Sequence, residues 1–183
     1  MNAPATPPSP YSSTLGKANL ETHTLSVLVD NEPGVLARVV GLFSGRGYNI
    51  ESLTVAEVAH AEHLSRITIV TSGTPETIEQ IGHQLERLVP IRKVTDLTLR
   101  GQSIERELAM IKVAGKGYER DEALRLADAF RARVIDASIE SFVFELTGAV
   151  GKIDQFIELM RPIGLVEVSR TGVAAMSRGK DPT

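Results

Sequence analysis

The sequence contains no cysteine and no tryptophan, and only 4% of its 183 residues are aromatic. Without thiols there can be no disulfide, no thiolate nucleophile and no thiolate metal site, which suits a reducing compartment, and the cytoplasm is the expected location. Scarce aromatic rings remove the stacking platforms on which single-strand nucleic-acid binders rely. Charge of one sign is lacking too: 20 basic residues against 23 acidic ones give a formal charge of -3, so no positive field is available to neutralise a phosphate backbone. No nucleic-acid partner is expected. Nowhere do about 18 consecutive apolar residues occur, so no membrane-spanning helix is expected either. What the chain does have is aliphatic content: 42% of it is hydrophobic, enough to build the core of one large or two small domains.

The N-terminal segment 1–21 is rich in proline, serine and alanine and has no apolar run resembling a signal peptide, so it reads as a disordered tail. Beyond it the periodicity becomes regular. Leu25, Val27 and Val29 alternate as in a half-buried strand, and after the turn "DNEPG" the residues Val35, Leu36, Val39, Val40 and Phe43 follow helical spacing up to the stop "GRG" at 45–47. Two strands are expected over 50–56 and 64–71, then a helix opened by Thr74 and Pro75, then a strand over 91–99. After a polar junction over 101–105 the same order begins again: strand 108–114, helix 119–132, strands 134–137 and 142–146, helix 150–160 and strand 164–169. This predicts an α+β fold of two tandem ferredoxin-like βαββαβ units, each an antiparallel sheet covered by two helices. The expected division is a first unit over 22–100, a second over 101–172 and a C-terminal tail over 173–183. Units of roughly 75 residues bury limited surface alone, so association into at least a dimer is expected.

Catalytic chemistry is hard to find. His60 and His63 are three apart in an expected polar loop, without a third ligand at a useful spacing, while His23 and His83 read as surface or edge positions. No metal site is expected. The serines lack a nucleophile-elbow context. The stretch "GKGYERDE" at 115–122 joins a strand to a helix but has neither the Walker pattern nor the dinucleotide fingerprint, and Glu119, Asp121 and Glu122 suit the first turn of a helix through its dipole.

The junction at 30–50 is different. Pro33 and Gly34 open a helix whose first amides have no intrahelical acceptor, and Gly34 has no side chain to hold a ligand away from the backbone. A carboxylate could dock there. Asn31 before the helix and Asn49 at the entry to the next strand each carry a carboxamide able to meet the polar end of an amino acid, with Val35, Leu36 and Ile50 as an apolar wall. A plainer reading is equally open: Asn31 caps the helix and Asn49 makes a turn.

The letters carry a resemblance beyond the spacing. The stretches "LSVLVDNEPGVLARVVGLFSGRGYNIESLTVAE" (25–57), "LSRITIV" (64–70), "LVPIRKVTDLT" (88–98), "ERELAMIKV" (105–113), "GYERDEALRLADAFRARVIDAS" (117–138) and "VEVSRTGVAAMSRG" (166–179) closely resemble the small, regulatory subunits of acetohydroxyacid synthase, also called acetolactate synthase. The resemblance implies that the first unit is an ACT domain and that the chain has no catalytic activity of its own. It implies a large catalytic subunit as partner, activated by this chain and made sensitive to valine, as feedback inhibition in branched-chain amino acid biosynthesis. Thiamine diphosphate, a divalent metal and FAD then belong to that large subunit, and no cofactor is expected here. It also implies a homodimer through the ACT domains, with valine held between Asn31, Gly34, Val35 and Leu36 of one chain and Asn49 and Ile50 of the other. Two further readings stand beside it: a free-standing tandem ACT regulator that senses another small ligand and does not associate with a large subunit, and an enzyme acting on a phosphorylated metabolite.

Overall fold

In the computed structural model, which describes residues 19–99 and 103–183, the alternating run around Val27 is the centre of a ten-residue strand, β1 (Glu21–Asp30). It is followed by α1 (Val35–Arg46), β2 (Ser52–Ala59), a short 3-10 turn over His60–Glu62, β3 (Leu64–Gly73), α2 (Pro75–Glu86) and β4 (Ile91–Asp96). These strands form one antiparallel sheet in the order β2-β3-β1-β4. The second unit repeats the pattern as β5 (Ser103–Ala114), α3 (Tyr118–Phe130), β6 (Arg133–Ala137), β7 (Ser141–Gly148), α4 (Val150–Gly164) and β8 (Leu165–Arg170), in the order β6-β7-β5-β8. The fold is α+β, two tandem βαββαβ units. The N-terminal tail expected over 1–21 falls outside the described residues up to residue 18, and Glu21 already opens β1; of the expected junction over 101–105, Ser103 to Glu105 are strand and 101–102 are not described.

Each helix pair covers one face of its sheet because its apolar positions recur at helical spacing. In the first unit Val35, Val39 and Phe43 of α1 and Ile78, Ile81 and Leu85 of α2 close over Leu25, Val27, Val29, Ile67 and Ile69. In the second, Ala123 and Ala127 of α3 and Ile153, Phe156, Ile157 and Met160 of α4 close over the alternating residues of β5 and β7. β4 stops at Asp96, short of the expected residue 99, because its carboxylate accepts the amides of Thr98 and Leu99 at 2.9 and 3.2 Å and turns the chain.

Two expectations are corrected. The segment 173–183 is not a tail: Ala174–Ser177 form a further strand, β9, paired with Ser103–Arg106 at the start of the long β5. The run Ala-Ala-Met-Ser carries no clear apolar alternation to mark it, and only the partner strand makes it a strand. Val173 and Ala175 are buried with Val70 and Leu97 between the two units. Beyond β9, the Pro182 carbonyl accepts from Lys93 Nζ at 3.3 Å and a Thr183 oxygen accepts from Arg66 Nη2 at 3.4 Å. The polar face of the first sheet is accordingly buried at Thr24, Ser26, Thr68 and Thr95. The second correction is His23, expected at the surface but only 4% exposed. It shares the inner face of β1 with Leu25, and its burial is compensated by Asp96 at 2.7 Å from Nδ1 and Glu21 at 3.4 Å from Nε2.

Candidate functional site

The two ends of α1 and β2 carry the residues singled out at the first junction. Gly34 is the residue ahead of α1, in the left-handed region at φ 87 and ψ -5, and no side chain caps the helix. Asn31 is therefore not its cap: it lies three residues earlier, and its own amide donates to the His63 carbonyl at 2.6 Å. α1 also has no acidic residue in its first turn, whereas α2 is capped by Thr74, whose hydroxyl accepts from Thr77 N–H, and carries Glu76. The amides of Leu36 and Ala37 find no backbone acceptor among the described residues. Partial positive charge thus remains at the start of α1, beside a residue without a side chain.

Val35 does not join the apolar wall expected of it. Its side chain is 5% exposed and belongs to the core with Val39 and Phe43, so it can offer only backbone. Leu36 and Val40 are the exposed apolar residues of α1. Ile50 is partly buried against the same core. Asn49 is exposed, and its carbonyl accepts from Thr71 Oγ1 at 2.6 Å. That bond explains a threonine at a fully buried position in line with Ile67 and Ile69, and it was not foreseeable from spacing.

One chain does not bring the two asparagines together. Asn31 is tied to His63 at one end of β3 and Asn49 to Thr71 at the other, a span of about 25 Å at the rise of a strand. Two acidic groups near the Asn31 end are paired. Asp30 accepts from Arg92 Nε at 2.8 Å, and the His60 imidazole lies 2.9 Å from Glu57. The hydrogen bond from His60 holds the Glu57 carboxyl below the usual carboxylate range, with a smaller contribution from Asn31, and Glu57 in turn raises His60.

The Asn49 end touches the second unit directly. Ser52 Oγ accepts from Val173 N–H at 3.0 Å, while within the first unit Glu51 N–H donates to the Val70 carbonyl of β3 at 2.8 Å. Between them Gly172 sits at φ +83, and a β-carbon there would lie 2.7 Å from Ser52 Oγ and 2.9 Å from Thr54 Oγ1. Next to this contact a two-toothed ion pair holds the second unit together. Arg170 donates to both oxygens of the buried Glu107 at 2.9 and 2.5 Å and to Asp154 at 2.7 Å, which raises its already high pKa further.

Comparison with known proteins covers both units. A family model described as the AHAS small subunit-like ACT domain matches residues 25–93, and one for the small subunit of acetolactate synthase matches residues 106–179. A probable acetolactate synthase small subunit of Archaeoglobus fulgidus is 48% identical over 157 residues, covering 86% of this chain and 97% of its own. The acetolactate synthase isozyme 3 small subunit of Escherichia coli is 46% identical over 156 residues, covering 85% and 94%. The crystal structure of the acetolactate synthase small subunit from Thermotoga maritima superposes with a TM-score of 0.78 at 41% identity, covering 88% of this chain and 99% of that one. With both units matched in order, the chain belongs to the family of acetolactate synthase small subunits.

Proposed function

We propose that this chain is a non-catalytic regulatory subunit that activates the large catalytic subunit of acetohydroxyacid synthase and confers feedback inhibition by valine on branched-chain amino acid biosynthesis. The observation that carries the reading is close kinship, over nearly the whole described chain, with small subunits of acetolactate synthase. The work is cytoplasmic, and thiamine diphosphate, the divalent metal and FAD reside in the large subunit.

Valine binds between the ACT domains of two copies. Its carboxylate meets the uncapped start of α1 at Gly34, Val35 and Leu36, and its ammonium group meets Asn31. Asn49 and Ile50 of the second copy close the pocket. The separation of about 25 Å within one chain supports a shared site, because neither half is complete alone. The sheet edge supports the same arrangement. β2 is an edge strand with Val55 and Val58 exposed, and its last residue, Ala59, lies opposite Leu64, which lies opposite Asp30. Two copies paired antiparallel along β2 set the Asn49 end of one beside the Asn31 end of the other, and the exposed Leu36 and Val40 add apolar surface there.

The test is thermal unfolding of the chain with valine, leucine, isoleucine and glycine, followed by inhibition of the assembled synthase. A valine-selective rise, abolished in Asn31→Ala while association with the large subunit persists, is the expected result. Unchanged valine affinity in that variant overturns the assignment of Asn31. No valine response from the free chain or from the assembled enzyme overturns the reading of the ligand.

A further inference from the structure

The α-ammonium group of an amino acid closed between two chains needs an anionic partner, because a desolvated charge facing only a neutral carboxamide is unfavourable. Asn31 carries no charge. The carboxylates at its end of the first sheet are those of Asp30, Glu32, Glu57 and Glu62. Asp30 accepts from Arg92 Nε at 2.8 Å, and Glu32 acts on the same guanidinium, so both belong to Arg92. Asp30 also follows Val29 along β1, which turns its side chain to the face of the sheet away from the helices. Glu62 lies in the 3-10 turn beyond the end of β2.

Glu57 is placed differently. In the register of the sheet Val29 lies opposite Ser65, and Ser65 lies opposite Glu57, so the three side chains share one face. Val29 belongs to the core beneath the helices and Ser65 is buried, which makes this the face that the helices cover. Glu57 therefore stands on the helix side of an edge strand, at the end of the sheet where Asn31 leads into α1. The turn beside it is fixed: the Asn31 amide donates to the His63 carbonyl at 2.6 Å, and His63 N–H donates to the His60 carbonyl at 3.3 Å. His60 Nδ1 lies 2.9 Å from Oε2 of Glu57, which leaves the other oxygen able to accept. The Glu57 side chain is 32% exposed, so a ligand can reach it. Hydrogen bonds from His60 first, and from Asn31 as well, hold its carboxyl below the usual carboxylate range, so it is charged at neutral pH. We propose, resting on the valine site described above, that Glu57 supplies the countercharge for the ligand's α-ammonium group beside Asn31, and so makes the site specific for an amino acid over the same skeleton without nitrogen. The ammonium group donates to the free Glu57 oxygen and to the Asn31 carboxamide oxygen, while the ligand's carboxylate stays at the start of α1. Pairing of two copies along β2 takes this charge pair out of water, which strengthens it.

The probes are valine and 3-methylbutanoate, which is valine without its nitrogen, each titrated against the full chain and read by thermal unfolding. The parent chain should favour valine. In Glu57→Gln, which keeps the shape and removes the charge, valine affinity should fall by about tenfold or more, while 3-methylbutanoate binds as tightly as before or tighter, so the preference narrows. Glu57→Asp, which keeps the charge, should retain most of the valine affinity and shows that the loss in Glu57→Gln is one of charge and not of folding; where 3-methylbutanoate does not bind at all, these two variants decide. Glu62→Gln should leave both ligands unaffected. An unaltered preference for valine in Glu57→Gln, an equal loss of both ligands, or a Glu57→Asp as weak as Glu57→Gln would each overturn the role of Glu57 while leaving the valine site standing. A parent chain that does not respond to valine overturns the reading of the ligand, and this assignment with it.

Discussion

Gly34→Asp and Gly34→Asn place side chains of nearly the same size at one backbone position and differ by a single charge. A β-carbon at Gly34 meets no heavy atom within 4 Å, so bulk is not the obstacle within the chain. The left-handed backbone at φ +87 costs an ordinary residue about 1–2 kcal/mol, and asparagine and aspartate tolerate it best. Both variants therefore carry a similar backbone penalty, and a side-chain oxygen at the uncapped start of α1 offsets part of it in each. Without ligand their stabilities should agree within about 1 kcal/mol. With valine they should part. Two carboxylates about 5 Å apart at an effective dielectric of roughly 20–40 repel by about 1.7–3.3 kcal/mol, which weakens binding by roughly 15- to 250-fold. Thermal unfolding reads the difference. At about 100 times its dissociation constant valine should stabilise the parent chain by about 2.7 kcal/mol, or about 5–10 °C for a protein of this length. At the same concentration an affinity weakened roughly 100-fold leaves about 0.4 kcal/mol, close to 1 °C. The asparagine variant should keep most of the shift. Equal responses from the two variants would refute a carboxylate docked at this helix start.

The ion pair in the second unit should be asymmetric to mutation. Arg170→Met leaves Glu107, 4% exposed, without its cation and should cost about 3 kcal/mol or more, whereas Glu107→Gln leaves Arg170 with Asp154 and water and should cost about 1 kcal/mol; equal losses in urea unfolding would contradict this. The imidazole of His60 should titrate above the usual value of about 6.5 and fall back toward it in Glu57→Gln, followed by NMR. A raised histidine contributes stability below its unfolded pKa and loses it as pH rises through the folded one. A lowered glutamate contributes above its unfolded pKa and loses it as pH falls. The Glu57–His60 pair is therefore fully formed between about pH 4.5 and 6.5, and a His60 titration indifferent to Glu57→Gln would dismiss it.

Periodicity made most of the fold legible. The alternation in β1 and the spacing of Ile78, Ile81 and Leu85 in α2 predict elements that form where expected, because each buries one face against the other. The same rule, followed further, would have placed Val35: residues 35, 39 and 43 share one face of α1, and that face is the core side. Contacts made far along the chain were not legible. His23 is buried because Asp96, 73 residues away, accepts from it, and Asn49 is held by Thr71 from 22 residues away. β9 is a strand because β5 is long enough to pair twice, a property of the partner and not of "AAMS". At the candidate site, Pro33 and Gly34 signalled an open helix start on local grounds, while the distance between the two asparagines needed the sheet.

The Asn49 end of that span is tied to the second unit. Asn49 is separated from Ser52 by only two residues, and this short segment is fixed at both ends and between: Asn49 by Thr71, Glu51 by Val70, Ser52 by Val173. Val70 and Val173 also share one apolar cluster. A ligand closing over Asn49 and Ile50 thus acts on a strap that ends at the second unit, and it can bias that unit only if two placements differ in affinity for valine. Gly172→Ala tests the strap. The new β-carbon would meet Ser52 Oγ at 2.7 Å from a backbone at φ +83, so the Ser52 hydroxyl must swing away and the Val173–Ser52 hydrogen bond is lost. The strain and the bond together should cost about 2–3 kcal/mol of stability. Because Gly172 touches none of the residues assigned to valine, the free chain should still bind valine with nearly parental affinity, while the assembled synthase should need several-fold more valine for the same inhibition. A variant that loses stability but keeps full sensitivity would show that the signal reaches the large subunit through the first unit alone.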